Sequence, residues 1–268
     1  MRTCLFILIT TLAGCLNTKT NDHMEKEDLN NLKMNTLGLI GGTSWHSTIE
    51  YYRFINEKTN SHFGNNTNPP LIVYTLNQAK VHKYQNENNW DGIADMIVFA
   101  GKNLENAGAQ KLMLCANTPH KVYDKVIKEL SIPIIHIAEA TAIEIKKMGI
   151  DKVCFLGTKY TMTENFITSK IENYGIEVMV PSDEEQINEL HRIIIEELTY
   201  GKILPKSKVY VENTIQSFID KGAKGVILGC TEFPLMFRSE ELNIPIFNTT
   251  DIHANSGVNY ILSDFLQE

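Results

Sequence analysis

Two copies of one short motif constrain the fold of this chain more than any other feature of its sequence. The first copy reads Gly108-Ala-Gln-Lys-Leu-Met-Leu-Cys-Ala-Asn-Thr-Pro119, and the second reads Gly222-Ala-Lys-Gly-Val-Ile-Leu-Gly-Cys-Thr-Glu-Phe-Pro234. Each copy contains an apolar run with the length and composition of a buried parallel strand. A proline then marks a chain that turns and starts a new element. The repeat predicts two similar strand-and-turn units, one in each half of the chain.

The elements around the two copies repeat as well. The opening strand and glycine-rich turn, within residues 36–45, are matched by Lys152-Val-Cys-Phe-Leu-Gly-Thr158. Alternating strands and helices in two copies predict an α/β fold with two lobes related by a pseudo-twofold axis. In each lobe a short parallel sheet is flanked by helices, and the site lies in the cleft between the lobes. We expect residues 35–133 and 245–268 to form the first lobe and residues 134–244 the second.

Residues 1–15 have the pattern of a bacterial lipoprotein signal peptide. A short positive region and an apolar stretch precede Leu12-Ala-Gly-Cys15, which resembles a lipobox and would make Cys15 the lipidated N-terminus. Residues 16–34 are polar and aperiodic, as expected of a tether. We therefore expect a protein anchored on the periplasmic side of the cell envelope. An ordinary secretory signal is the alternative, and a translation start at Met34 would place the protein in the cytoplasm.

The charge of the chain argues against a nucleic-acid partner, because its 268 residues carry a formal net charge of −7. No apolar run reaches the roughly 18 residues that a membrane-spanning helix requires. Contact with the membrane is therefore expected only through a lipid on Cys15. His120, His136 and His253 fit no metal-binding spacing, and we expect no metal site.

Cys230 has the strongest claim to a chemical role. It stands at the carboxyl end of the strand in the second copy, and this end faces the crevice where open α/β sheets bind ligands. The turn that follows it has the pattern of a helix N-terminus, whose backbone dipoles stabilise a thiolate. Glu232, two residues later, could orient the thiol or cap the helix.

The first copy of the motif has no thiol at the corresponding position. When the copies are aligned on their opening Gly-Ala pairs, Ala116 falls opposite Cys230, and Cys115 falls opposite Gly229. Neighbouring side chains of a strand point to opposite faces, so Cys115 is expected to point away from the crevice. The favoured interpretation of Cys115 is a small buried hydrophobic residue, and a catalytic role is the alternative.

Four motifs, in order along the chain, carry a family resemblance. They are Leu37-Gly-Leu-Ile-Gly-Gly-Thr-Ser-Trp45, Cys115-Ala-Asn-Thr-Pro-His-Lys121, Leu156-Gly-Thr-Lys-Tyr-Thr-Met162 and Gly229-Cys-Thr-Glu232. Over about residues 36–262 the chain resembles the aspartate/glutamate racemase superfamily, and within it the branch of broad-specificity amino-acid racemases. The resemblance implies a cofactor-independent racemase in which one cysteine thiolate removes the α-proton and a second cysteine returns one. Dimerisation, common among relatives, makes a homodimer a candidate assembly.

The resemblance also assigns roles to individual residues. The family usually has cysteine where this chain has Ala116, and the most similar branch tends to carry threonine there. Asn117, Thr118 and Thr158 would hold a substrate carboxylate, although Asn117 and Thr118 could instead only cap their own helix. The remaining substrate-binding positions implied are Thr43, Gln85, Ala116, Thr231 and Glu197. For Glu197 the alternative is a solvated helix face.

The leading functional hypothesis is a one-thiol racemase or epimerase acting on aspartate and glutamate or on a broad range of amino acids. Cys230 would be the acid and base on one face of the substrate. Water, a nearby hydroxyl or a shifted Cys115 would serve the other face. Two alternatives stay open: a lipid-anchored protein that binds amino acids or other carboxylates without turnover, and a one-cysteine isomerase or decarboxylase of small diacids.

Overall fold

The computed structural model describes residues 33–237 and 242–265. Its strands are β1 (Leu37–Gly41), β2 (Leu71–Thr75), β3 (Lys111–Leu114), β4 (Ile134–Ile135), β5 (Lys152–Gly157), β6 (Glu177–Met179), β7 (Val226–Gly229) and β8 (Ile246–Asn248). Its α-helices are α1 (Trp45–Phe63), α2 (Gln78–Asn86), α3 (Trp90–Asn106), α4 (Tyr123–Val126), α5 (Ile137–Lys147), α6 (Lys159–Thr163), α7 (Thr168–Glu172), α8 (Glu184–Arg192), α9 (Pro205–Ile219) and α10 (Thr249–Ile261). Shorter helical segments are the 3-10 helices Thr118–Val122, Leu198–Tyr200 and Phe233–Leu235 and the π-helix Ile193–Glu197.

The described strands form two four-stranded sheets, one in each half of the chain. The strand order is β2-β1-β3-β4 in the first sheet and β6-β5-β7-β8 in the second. Every pairing in both sheets is parallel. The same order in both halves confirms the predicted α/β fold with two related lobes, each built on a short parallel sheet.

Helices cover both faces of the first sheet. In α3 the buried residues Ile93, Ile97, Ala100 and Leu104 recur at intervals of three and four positions, which places them on one side of the helix. They pack with residues of β1 and β3 in one hydrophobic cluster. On the opposite face, Tyr51 of α1 packs with residues of α10 in a second cluster. Because both faces of the sheet are covered, its carboxyl edge is the part left open to a ligand.

The helix that follows the last strand of each sheet packs onto the other lobe. Helix α5 follows β4 of the first sheet, yet Ile137 and Ile145 lie in the core of the second lobe. Helix α10 follows β8 of the second sheet, yet Ala254 and Val258 lie in a core cluster of the first. The two helices also contact each other. This reciprocal exchange joins the two lobes.

The strand pairings correct the expected lobe boundaries at both junctions. The sequence pattern assigns residues 134–244 to the second lobe, but β4 pairs with β3 in the first sheet through Met113 and Ile135. The same pattern assigns residues 245–268 to the first lobe, but β8 pairs with β7 in the second sheet. In each half the chain completes the sheet of its own lobe before the following helix crosses over.

The register of the two sheets identifies equivalent positions at their carboxyl ends. Gly157 ends β5 and lies opposite Gly229 of β7. The corresponding pairing of β1 with β3 stops one position earlier, so that Gly41 and Cys115 are the next residues along the two strands. Cys115 is therefore the structural equivalent of Gly229, and Ala116 is the equivalent of the cysteine that follows Gly229.

The expectations for the N-terminal region fall largely outside the described residues. The signal peptide over residues 1–15, its Cys15 and nearly all of the tether over residues 16–34 precede the first described position. Within residues 33–237 and 242–265, no helix combines the length and the hydropathy that a membrane crossing requires.

Candidate active site

A cavity of about 690 Å³ lies where the loops at the carboxyl ends of the central strands meet. We call this cavity the cleft. It brings together most of the residues singled out from the sequence: Thr43, Gln85, Ala116, Asn117, Thr118, Thr158, Cys230 and Thr231. Contributions from both halves of the chain show that the equivalent turns of the two lobes converge on one site.

Cys230 and Glu232 form a hydrogen-bonded pair in the cleft. The Cys230 Sγ donates to Glu232 Oε2 at 2.8 Å, and the Thr231 hydroxyl donates to the same oxygen at 2.8 Å. Burial raises the pKa of the Cys230 thiol well above its ordinary value, and the negative charge of Glu232 raises it further. The resting site therefore holds a protonated thiol next to a carboxylate that can accept its proton.

The local structure after Cys230 differs from the expected thiolate-stabilising helix. The segment that follows is a 3-10 helix of only three residues, Phe233–Leu235. Backbone N–H groups of Thr231 and Glu232 do lower the pKa of the thiol, but burial and the carboxylate outweigh them. The sequence reasoning raised Glu232 as a group that could orient the thiol, and the geometry places it in that position rather than as a side-chain cap.

Cys115 does not join the cleft. Only 2% of its surface is exposed, and it packs with Leu37, Leu39 and Tyr51 in the core cluster of the first lobe. Burial raises the pKa of the Cys115 thiol, which keeps it in the protonated form. Among the described residues that line the cleft, Cys230 is the one thiol, and the methyl group of Ala116 occupies the equivalent position in the first lobe.

A hydrogen bond to Thr249 holds the side-chain amide of Asn117. Its Nδ2 donates to Thr249 Oγ1 at 2.9 Å, while the Thr249 hydroxyl uses its single proton to donate to the Leu228 carbonyl at 3.0 Å. This arrangement fixes the orientation of the amide, because Thr249 has only an acceptor left to offer. The Asn117 Oδ1 is buried and has no donor within the described structure. The side chain of Asn117 makes no helix-capping bond, and its role in holding a substrate carboxylate stays a prediction.

Two threonine hydroxyls meet across the lobes. The Thr118 Oγ1 of the first lobe lies 3.3 Å from the Thr158 Oγ1 of the second. Thr158 also lies 3.3 Å from the hydroxyl of Thr161, which donates to the Thr158 carbonyl at 2.9 Å. A hydroxyl can rotate to donate or accept, so the Thr118 and Thr158 pair can bind a substrate carboxylate from both lobes at once.

Glu197 lies behind the wall of the cleft and is absent from its lining. It ends the π-helix Ile193–Glu197 and is 5% exposed, so it is not part of a solvated helix face. Its Oε1 accepts from Arg192 Nη1 at 2.8 Å, and its Oε2 is buried with no partner among the described residues. Ile194 and Thr199, close to Glu197 in the sequence, do line the cleft.

A contact between the lobes stands beside the cleft. Lys121 of the first lobe donates to Glu164 Oε1 of the second at 2.6 Å, and its Nζ lies 3.8 Å from the centre of the Trp90 ring. The Trp90 ring in turn makes an edge contact with Tyr160, at 5.3 Å between ring centres. We call these four residues the interlobe clasp. Tyr160 lines the cleft, so the clasp connects the position of the lobes to the shape of the site.

His120 supports the turn that carries Ala116 and Asn117. Its Nδ1 donates to the carbonyls of Ala116 at 3.0 Å and Asn117 at 3.2 Å, and its Nε2 accepts from the backbone N–H of Ile137 at 3.2 Å. These partners require a neutral ring with the proton on Nδ1. Burial lowers the pKa of His120 to about 4, consistent with that state. The sequence offered only the position of His120 after the Asn-Thr-Pro turn and no sign of this role.

Several residues that line the cleft were not singled out from the sequence. Tyr160 and His191 come from the second lobe, while His46 and His82 come from the first. Tyr160 stands within one of the repeated motifs, and that position was the only clue to it. The histidines lie on helix faces whose orientation depends on how the helices pack. Within residues 33–237 and 242–265, no cluster of histidine, cysteine or acidic side chains could hold a metal ion.

The fold and this cleft define a two-lobed α/β protein with one cysteine between equivalent strand ends. The family model described as Asp/Glu/Hydantoin racemase matches residues 40–257, so the chain belongs to that family. It is similar to the broad specificity amino-acid racemase RacX of Bacillus subtilis (strain 168), with 25% identity over 177 residues, which are 65% of this chain and 74% of that protein.

Solved structures agree with this assignment. The crystal structure of PH1733, an aspartate racemase homologue from Pyrococcus horikoshii OT3, is 38% identical with a TM-score of 0.74 and covers 88% of this chain and 100% of its own. The aspartate racemase of Picrophilus torridus has a TM-score of 0.62 over 86% of this chain and 94% of its own. At 19% identity the second similarity shows the shared fold alone.

Proposed function

We propose that this protein is a cofactor-independent amino-acid racemase or epimerase that uses Cys230 as its acid and base. The observation that carries the proposal is the 2.8 Å hydrogen bond from the Cys230 thiol to Glu232 inside the cleft. Family membership and the similarity to amino-acid racemases support the reaction class. The substrate class, aspartate and glutamate or a wider range, is part of the proposal.

The proposed substrate pose follows from the polar groups of the cleft. The Thr118 and Thr158 hydroxyls bind the α-carboxylate, and Asn117 Oδ1 accepts a hydrogen bond from the α-ammonium. Glu232 accepts the thiol proton, and the resulting Cys230 thiolate takes the α-proton. The C–H bond breaks as the S–H bond forms, and the electron pair passes into the substrate carboxylate.

The second proton must come from the face of the substrate next to Ala116. An alanine methyl group transfers no proton, and it leaves room for water beside the polar turn of the first lobe. In the proposal, a water molecule protonates the carbanion on that face. The hydroxide that remains takes the proton held by Glu232, directly or through solvent, which restores the thiol of Cys230 and the carboxylate of Glu232. Inversion would therefore be slower than exchange of the α-proton on the Cys230 face.

The test uses the full-length chain under reducing conditions in D₂O with L- and D-amino acids. Proton NMR follows loss of the α-proton, and chiral chromatography follows inversion. We expect exchange that Cys230→Ser abolishes and that the matched variant Cys154→Ser, in the core of the second lobe, leaves intact. Exchange that persists in Cys230→Ser would contradict the proposal.

A binding protein without turnover is the second candidate, and the presence of Ala116 at the position equivalent to Cys230 favours it. This candidate predicts that an amino acid raises the melting temperature while no α-proton exchanges. A third candidate, an isomerase or decarboxylase of small diacids, predicts turnover of maleate above that of any amino acid. The same protein preparation distinguishes all three.

We also propose that Cys15 is lipidated and anchors the protein in the cell envelope. The proposal rests on the lipobox-like Leu12-Ala-Gly-Cys15. In cells given labelled palmitate, the native chain is expected to take up label and to partition into detergent, and Cys15→Ala is expected to do neither. An unlabelled native protein that begins at Met34 would instead indicate a cytoplasmic form.

A further inference from the structure

The cleft continues into a second cavity of about 490 Å³, which we call the annex. Five residues line both: His46, Thr199, Tyr200, Thr231 and Glu232. Because Glu232 holds the Cys230 thiol, the annex begins directly beside the proposed reacting group. A substrate whose α-carbon lies against Cys230 therefore has open space for its side chain in this direction.

Three of the six described residues that line only the annex are aliphatic, namely Ile49, Leu198 and Leu235. Leu198 is buried behind it, while Ile49 and Leu235 are 51% and 54% exposed, a large exposure for aliphatic side chains. When a ligand covers such exposed apolar surface next to a site, the burial of that surface stabilises the complex. Tyr200, on the boundary between the cavities, is 72% exposed and adds an aromatic surface.

The charges around both cavities oppose a substrate with a second carboxylate. No lysine or arginine is among the described residues that line the cleft or the annex. The acidic residues there are Glu232 and Glu50, and the negative charge of Glu50 is offset by Arg53 at 2.6 Å. Burial lowers the pKa of His82 and of His191, which keeps these cleft histidines neutral near pH 7. A side-chain carboxylate would therefore lie near Glu232 without a lysine or arginine among the described lining residues to pair with.

We propose that the annex receives the substrate side chain and selects extended, uncharged side chains, such as those of methionine and leucine, over those of aspartate and glutamate. This inference rests on the proposed racemase function and names its substrate class. The aliphatic walls of Ile49, Leu198 and Leu235 supply the apolar contact. The absence of lysine and arginine from the described lining residues disfavours the acidic substrates.

The first measurement compares kcat/KM of the full-length protein for α-proton exchange with methionine, leucine, alanine, aspartate and glutamate. We expect methionine and leucine to exceed aspartate and glutamate by at least about tenfold. The acidic side chains would exchange water for a partly apolar surface whose described lining offers their carboxylate no lysine or arginine. A preference for aspartate or glutamate would overturn this inference and leave the racemase proposal standing. Failure of every amino acid to exchange its α-proton would overturn both.

The second measurement uses a variant whose larger side chain fills the annex. Leu235→Trp is expected to lower the ratio of kcat/KM for methionine to that for alanine by about tenfold or more, mainly through KM, because alanine does not reach the annex. Val209→Trp is the matched control, since Val209 is 52% exposed on α9 and lies outside both cavities. Its ratio is expected to equal that of the native protein.

Two outcomes of this comparison would contradict the assignment. An equal effect of Leu235→Trp and Val209→Trp on the methionine-to-alanine ratio would mean that the annex does not hold the side chain. A change in molecular mass by gel filtration in Leu235→Trp, with an unchanged ratio, would identify the apolar surface as a contact between two copies of the chain.

Discussion

The thiol of Cys230 donates a hydrogen bond of 2.8 Å to the carboxylate of Glu232, two residues further along the chain. A residue pair at this spacing can meet because the chain leaves β7 in a turn, so that both side chains point into the same space. Burial keeps this thiol protonated, and in the proposed reaction Glu232 is the nearby acceptor for its proton.

The first prediction concerns the carboxylate of this pair. Glu232→Gln removes the negative charge that raises the pKa of the Cys230 thiol, so that the pKa is expected to fall. It also removes the proton acceptor, and kcat for α-proton exchange is expected to decrease by roughly 10²-fold. The pKa is measured from the pH dependence of Cys230 alkylation, followed by mass spectrometry of the Cys230 peptide.

The control for this variant is Glu144→Gln, because Glu144 pairs with Lys147 on the surface of α5, away from the cleft. It is expected to change neither the alkylation profile nor kcat. An unchanged alkylation profile in Glu232→Gln would mean that the hydrogen bond does not govern the thiol.

The second prediction restores a thiol on the other face of the substrate. Ala116→Cys places a sulfur at the position equivalent to Cys230, where the native chain has only a methyl group. The ratio of inversion to α-proton exchange is expected to rise at least about tenfold, because positioned acid–base groups contribute typically 10²–10⁴-fold. Chiral chromatography and proton NMR on one sample give both rates.

Ala116→Ser is the matched variant, since it adds a group of similar size with a far weaker acidity. It is expected to raise the ratio less than Ala116→Cys does. If the serine and cysteine variants behave alike, space rather than acidity limits inversion at this face.

The third prediction concerns the interlobe clasp. Lys121 and Glu164 are 19% and 36% exposed in their side chains, so solvent partly screens their ion pair. A double-mutant cycle with Lys121→Met and Glu164→Gln is expected to give a coupling free energy of about 0.5–1 kcal/mol, measured by denaturant unfolding. We also expect each single variant to raise KM a few-fold, because the clasp holds Tyr160 at the cleft.

The surface pair Lys147 and Glu144 provides the comparison, with side chains that are 61% and 41% exposed. Changing it is expected to leave KM unaltered. If the coupling free energy is the same for both pairs and KM does not change, the interlobe clasp has no role in the site.

The fourth prediction concerns stability at acidic pH. Burial lowers the pKa of His120 to about 4, of His253 to about 3 and of His136 to about 2. The unfolded chain, with values near 6.5, binds more protons below that pH, so the free energy of unfolding decreases as the pH falls below 6.5. Each histidine contributes up to about 1.4 kcal/mol per pH unit between its unfolded and folded pKa values.

The variant His136→Asn tests the size of this effect. Asparagine can keep the N-cap contact in which His136 Nδ1 accepts from the Ala138 N–H at 3.1 Å. In this variant the free energy of unfolding is expected to depend less steeply on pH between pH 6.5 and 4.5, because the contribution of one histidine is removed. Urea unfolding at several pH values measures this slope. The exposed His62 serves as the control, and His62→Asn is expected to leave the slope unchanged. A slope that His136→Asn leaves intact would exclude this histidine as a source of acid sensitivity.

Much of the fold could be read from local patterns in the sequence. The repeated motif around Cys115 and Cys230 predicted two parallel sheets, because buried strands require short apolar runs whatever surrounds them. The alignment of the two copies also predicted that Ala116 stands where the second half has Cys230, and the strand register shows the same equivalence. The predicted lobe boundaries were less exact, because β4 and β8 are too short for their sequence to indicate which sheet they join.

The sequence by itself determined the two-lobed α/β architecture and the converging turns, because strand and helix periodicity depend on neighbours along the chain. Only the tertiary structure decided what each side chain in the cleft can do. The free oxygen of Asn117 results from a hydrogen bond to Thr249, a residue distant in sequence. Glu197 is directed to Arg192 rather than into the cleft. Hydrogen-bond partners, burial and pKa values depend on groups that come into contact only when the lobes pack. Because these groups are distant in the sequence, local sequence patterns do not predict their contacts.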